Sequence, residues 1–354
     1  MPSVKKRYIK YGMSKSVAYN FESMSDEEIL EIPLCALGLK IEGSSLEPLI
    51  ARLFAELAAK KLYFKPHLWL STEWFSPYGI PGFAIPFYLV HPRLIELEKR
   101  FMNEAEGERD LHCLQLLRHE CGHAIDNAFH LRKSKTRQAL FGLSGAPYPK
   151  RYLPNPSSTK YVRHLKNGYA QAHPDEDWAE SFAVWLDPVS NWQQRYRAGT
   201  VRKKLDKVDE LMSKIAGQEP LIKRRYDLDS IESCQLTLAE YFLEKRKRFK
   251  LNREIRLPPI VKQRLTHSSQ SHAFVPAALY LKSNRKELCN KITTQVKCEN
   301  YIVKKAYNEI MQAALHRQDL GLNASCRSSK QELLTGLTLH VERYVKNRHH
   351  WISM

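Results

Sequence analysis

Apolar residues recur at spacings of three and four along much of this chain, and that pattern predicts helices for most of its length. Leu46, Leu49, Ile50, Leu53, Phe54, Leu57 and Ala58 form one stripe that closes on Lys60 and Lys61, as expected for a helix with cations at its carboxyl end. Upstream, Ser25 before Asp26, Glu27 and Glu28 is a helix start with a capping serine. A longer stripe of Leu114, Leu117, Cys121, Ile125 and Ala128 predicts a helix over Arg109–Arg132. Pro174–Leu186 reads as another, with proline in its first turn, three acidic residues beside it and Pro188 closing it. Val201–Ile215, Leu236–Phe249, Asn300–Arg317 and Lys330–Lys346 are further helical segments.

The period changes in two places. His67–Phe75 alternates and is rich in aromatics, which suits a strand, and Phe83–Val90 reads as a second strand after turns at Pro77-Tyr78-Gly79 and Pro81-Gly82. Gly142–Ser158, rich in proline and serine, predicts a long loop. No apolar run approaches the length of a membrane-spanning helix. Residues 1–13 are basic but lack the apolar core of a secretory signal.

Charge divides the chain where the helical pattern does not. The formal net charge of +18 over 354 residues is almost all in the second half: residues 1–194 carry 24 Lys and Arg against 22 Asp and Glu, and residues 195–354 carry 32 against 16. Basic clusters stand at Arg202-Lys203-Lys204, Lys223-Arg224-Arg225 and Lys245–Arg248. Such a surface fits nucleic acid or another polyanion, although no zinc-finger, RNA-recognition or helix-turn-helix signature accompanies it. Seven scattered cysteines without a Cys-x-x-Cys pair argue against a disulfide framework. Reduced thiols in a cytoplasmic protein are expected, with Cys121 in the core.

Candidate chemistry enters at His119-Glu120-Cys121-Gly122-His123. Two histidines four apart on a helix project one turn apart on the same face, so both imidazoles reach a single zinc ion. The glutamate between them then lies beside the open coordination position, where it takes a proton from metal-bound water and passes it to a leaving amine. Gly122, costly inside a helix by about 1 kcal/mol, fits a place where another backbone approaches closely. A third ligand is sought downstream. Glu176 and Glu180 are four apart on one helix face, so one can bind metal while the other orients a ligand histidine. His173 and His164 remain alternatives. Tyr169, and after it Tyr161, are candidates for stabilising an oxyanion beside the metal.

These two segments resemble the glutamate-type zincins, the thermolysin-like metallopeptidases, with a Glu-x-x-x-Glu-x-Phe helix after His-Glu-x-x-His. Carried over by motif, the resemblance makes Glu176 the third zinc ligand and Glu180 the residue that supports a histidine, with His173 beside them at the helix start. His123 and Glu176 are 53 residues apart, more than the short connection of thermolysin-like enzymes, which keeps His164 and His173 open as ligands. More closely, the chain is similar to a bacterial family of zinc-binding metallopeptidases whose activity is inferred from its motif. The elements that carry this likeness are Trp69-Leu70-Ser71, Trp74–Pro77, Ala84–Tyr88, Arg118–Asn127 and His173–Leu186, within residues 25–250.

The expectation is an α+β fold. A basic lead-in at 1–24 precedes a zincin-like domain at 25–200, whose small sheet packs on the metal helix. A basic helical extension at 201–257 and a helical region at 258–354 follow. The expected function is zinc-dependent hydrolysis of peptide or other amide bonds with one Zn2+, Glu120 as general base and a peptide or protein as substrate. The resemblance, with the strand's place before the metal helix, implies that Phe83–Tyr88 is an edge along which an extended peptide would add. The alternative is a non-catalytic, zinc-stabilised module whose half from 195 to 354 docks nucleic acid or another polyanion.

Overall fold

A computed structural model describes residues 19–249, 256–267, 274–347 and 352–353. The basic residues of the expected lead-in fall within 1–18 and lie outside the described residues. The described chain divides into two units. One runs to Tyr148 and resumes at Asn155; the other takes Pro149–Pro154 and the residues from Arg256 onward.

The first unit opens with α1 (Asp26–Leu30), where Ser25 and Glu28 form a reciprocal capping box. Next come α2 (Leu46–Ala59), β1 (His67–Ser71), β2 (Gly82–Pro86), α3 (Pro92–Met102), α4 (Asp110–Phe129) and α5 (Lys135–Phe141). After β3 (Arg151–Tyr152), which belongs to the second unit, the chain returns as α6 (Pro174–Leu186), α7 (Trp192–Arg195), α8 (Gly199–Ile215) and α9 (Leu238–Arg248). One hydrophobic core joins Leu53 and Leu57 of α2, Leu114, Leu117 and Ile125 of α4, Trp178 and Phe182 of α6, Leu205 of α8 and Phe242 of α9. Each such side chain contributes about 1.5–3 kcal/mol when fully buried.

Strands β1 and β2 pair in parallel, His67 opposite Gly82 and Ser71 opposite Pro86. The expected second strand ends early. Pro86 has no N–H to extend the ladder, and Phe87–Val90 turns into a 3-10 helix. Strand β2 is also not an open edge, as the peptide-addition reading required. All five of its residues are buried, and the Ala84 N–H donates to the Phe75 carbonyl at 2.8 Å on the side away from β1. Residues 228–230 lie beside β1: Trp69 Nε1 donates to the Leu228 carbonyl at 2.9 Å and Ser71 Oγ to that of Asp229 at 2.6 Å, and Ser71 forms an isolated antiparallel bridge with Ser230.

Buried ion pairs fix α4. Arg118, 1% exposed, meets Glu56 of α2 through two hydrogen bonds of 2.6 and 2.7 Å, and Asp187 after α6 at 3.2 Å. Asn127 Nδ2 donates to the carbonyls of Pro77 and Ile80, at 2.9 and 2.8 Å, and so ties the turn between the strands to the same helix. The basic clusters of α8 and α9 share this work. Lys204 is buried on Asp177, and Lys245 on Glu98 at 2.8 Å. Part of the basic surplus therefore serves packing. Arg224 and Arg225 remain exposed.

The second unit comprises β3, α10 (Pro259–Lys262), β4 (Thr266–His267), β5 (Phe274–Pro276), α11 (Ala277–Ser283), α12 (Arg285–Val296), α13 (Asn300–Leu315), β6 (Leu320–Asn323), α14 (Arg327–Lys346) and β7 (Ile352–Ser353). Its core gathers Leu281, Ile292, Val303, Tyr307, Ile310, Leu337 and Val341. A three-stranded antiparallel sheet, ordered β4-β6-β5, accompanies the helices, and β3 pairs antiparallel with β7. Strands of two to four residues are too short for alternation to show in the sequence. The whole is a mixed fold of helices and small sheets.

Candidate metal centre

Helix α6 crosses α4 at Gly122. A Cβ on Gly122 would stand 2.9 Å from Ala179 Cα and 3.2 Å from the Ala179 carbonyl oxygen, so only glycine admits this approach. Trp178 Nε1 locks the crossing by donating to the Gly122 carbonyl at 2.9 Å. Gly122→Ala is expected to destabilise the protein. Overpacking costs typically 1–3 kcal/mol, and the contact here is with backbone, which yields least. That outweighs the ~1 kcal/mol of helix propensity gained. Urea denaturation checks this: a midpoint equal to or above that of the parent would show that α6 moves aside freely.

The close crossing sets Glu176 and Glu180, one turn apart on α6, over His119 and His123, one turn apart on α4. His119 Nε2 and Glu176 Oε2 are 3.1 Å apart, His123 Nε2 and Glu176 Oε2 3.3 Å, and the two Nε2 atoms 3.2 Å. Donors about 2.0–2.1 Å from a tetrahedral zinc lie about 3.3–3.4 Å from one another, so this triangle fits the ion closely. These three residues form a group suited to hold a metal.

The surrounding bonds prepare the donors. His119 Nδ1 meets Glu180 Oε1 at 3.0 Å. A carboxylate there accepts the Nδ1 proton and leaves Nε2 as the nitrogen from which a bound cation would displace the proton. The other oxygen of Glu180 accepts from the Leu165 N–H at 2.9 Å. Tyr148 Oη donates to Glu176 Oε1 at 2.9 Å. Burial disfavours charge on both His119 and Glu176, yet their mutual attraction prevails. The Glu176 and Glu180 carboxylates hold the His119 imidazole well above its usual range, and the two histidines hold Glu176 well below the usual carboxylate range.

Glu120 is 6% exposed, and its Oε2 has no hydrogen-bond partner among the described residues. Burial pushes its carboxyl up against the pull of His119 and His123. A cation held by the three donors would add to that pull.

The alternative ligands point elsewhere. His173 caps α6, its Nδ1 accepting from the Asp175 N–H at 3.1 Å while Nε2 donates to the Ala146 carbonyl at 2.8 Å. His164 Nε2 donates to the Gln115 carbonyl at 3.0 Å. Tyr161 lies under Lys204, whose Nζ is 4.4 Å from the ring centroid. Tyr169 does approach the centre, its ring centroid 5.6 Å from that of His119. It follows Asn167 and Gly168, both at positive φ, a conformation these two residue types adopt readily. Cys121 is fully buried, and burial pushes its thiol up.

Sequence reasoning missed Tyr148 and Arg137. Arg137, fully buried, donates to Asp126 of α4 at 2.8 Å, Asp175 of α6 at 3.2 Å and Ser144 Oγ at 2.8 Å, and stacks over Trp178. A lone arginine in a short helix and a tyrosine in a proline-rich loop carry no periodic signal.

Residues 96–238 match the model of a family described as "Putative zinc-binding metallo-peptidase". The resemblance read from the sequence holds over that span. No curated protein and no solved structure matches the chain.

Proposed function

From the match of residues 96–238 to a zinc-binding metallopeptidase family, we propose that this chain is a glutamate-type zincin that hydrolyses peptide or other amide bonds at His119, His123 and Glu176. One observation carries the reading: the buried, unpartnered Oε2 of Glu120 stands on the turn of α4 between two of the three converging donors. An unpaired buried carboxylate oxygen costs free energy, and an attacking water is the partner such an atom suits. A zinc ion held by His119, His123 and Glu176 would supply a Lewis acid here and make a nearby water more acidic.

The chain's own residues do the rest. Glu120 takes the proton of the attacking water and returns it to the leaving amine. Glu180 fixes the tautomer and plane of His119. Tyr169, beside His119, donates toward the oxygen of the scissile carbonyl as charge builds there.

The test incubates the full chain, loaded with zinc, with a mixed peptide library and reads new termini by mass spectrometry. Cleavage that stops on chelation and returns with zinc is expected. Stoichiometric zinc at the cluster with no new terminus in any peptide would instead favour a zinc-stabilised binding module.

A further inference from the structure

We propose that Tyr148 is a positioning residue of the metal centre, its phenol holding the outer oxygen of Glu176 so that Oε2 alone faces the two histidines. The inference rests on the reading of His119, His123 and Glu176 as a zinc site and assigns that site a further part.

A carboxylate offers two equivalent oxygens, and rotation about its last bond exchanges them or lets both reach one cation. In this structure the two are distinguished. Oε1 accepts from Tyr148 Oη at 2.9 Å, while Oε2 lies 3.1 and 3.3 Å from the two imidazole nitrogens. The ring that carries the phenol is itself fixed. It stacks on His173 at 3.7 Å with 13° between planes, and His173 is 4% exposed and bonded through both nitrogens.

The loop leading to Tyr148 is pinned at every second residue. Gly142 abuts Pro174, where a Cβ would stand 3.0 Å from Cγ; Ser144 accepts from Arg137 at 2.8 Å; the Ala146 carbonyl accepts from His173 at 2.8 Å. The fourth point in that series is Tyr148. Each anchor comes from α5, from α6 or from the residue that caps α6. Loop and ligand therefore share one frame.

Tyr148 is 49% exposed as a residue, so stacking alone secures it only in part, and the hydroxyl supplies a bond that phenylalanine would lack. A phenol has one proton. Donated to Glu176, it is not available to a substrate oxyanion, which separates Tyr148 from the role proposed for Tyr169.

The experiment measures zinc affinity of the full chain by competition with a chromophoric chelator. Tyr148→Phe keeps the stacked ring and removes only the hydroxyl. It is expected to bind zinc about 10–100-fold more weakly, the usual effect of losing an outer partner of a ligand, with the metal-free melting temperature unchanged. The absorption bands of the cobalt-substituted protein should also shift as Glu176 gains freedom. If Tyr148→Phe binds zinc within twofold of the parent while Tyr148→Leu binds it weakly, the ring acts by packing and the inference fails. His119→Ala is the control for the site. Loss of zinc in that variant with no effect of Tyr148→Phe overturns the inference alone. Full zinc in His119→Ala overturns the site, and the inference with it.

Discussion

Glu120→Gln is expected to bind zinc as tightly as the parent chain and to hydrolyse peptides about 10²–10⁴-fold more slowly, the range general-base catalysis supplies. Glutamine matches glutamate in shape, and Oε2 has no hydrogen-bond partner among the described residues, so none of those residues loses a bond to it. What disappears is the basic lone pair. The carboxyl is buried and pushed up by that burial, so the neutral amide also removes a charge the interior disfavours, and the variant should be at least as stable as the parent. Zinc content by elemental analysis and turnover of a peptide cleaved by the parent are the two readouts. Full zinc with undiminished turnover would remove Glu120 from the mechanism. Lost zinc would make it a ligand rather than a base.

Replacing Glu176 by alanine should weaken zinc binding more than about 100-fold, beyond what the loss of an outer partner costs. His173→Ala should leave affinity within about tenfold of the parent while lowering stability by about 1 kcal/mol through loss of the helix cap. The contrast follows from where the atoms point. Glu176 Oε2 is the third corner of a triangle with edges of 3.1 to 3.3 Å, whereas both nitrogens of His173 are committed to backbone groups. Chelator competition on the two variants side by side decides the matter. Retained zinc in Glu176→Ala together with lost zinc in His173→Ala would reverse the assignment.

The helices were legible because their signals are local. Pro174–Leu186 is bounded in the structure as its proline, acidic first turn and closing proline indicate. The helix that carries His119 and His123 shortens from the expected 109–132 to Asp110–Phe129, where His130 turns left-handed at φ 54°. A longer apolar stripe could not reveal that stop. Phe83–Val90 misled in a different way. A run buried on every side shows no period, so a strand that becomes a 3-10 turn after Pro86 looks like one continuous strand. Charge counts do not record partners: within the basic clusters, Lys204 and Lys245 are buried against Asp177 and Glu98, while Arg224 and Arg225 are exposed.

The sequence by itself determined that His119 and His123 share one helix face with Glu120 between them, and that Glu176 and Glu180 share another. Both are consequences of a 3.6-residue period and need no knowledge of the rest of the chain. Only the tertiary structure decided which histidines stay out of the cluster, that Glu180 meets His119, and that Tyr148 reaches Glu176 from a loop. Each of these depends on how closely α6 approaches α4, and the distance is set where Gly122 lets the Ala179 backbone come within what would be 2.9 Å of a Cβ. A glycine in a helix hints at such a contact, but its partner lies 57 residues away, beyond the reach of any local pattern.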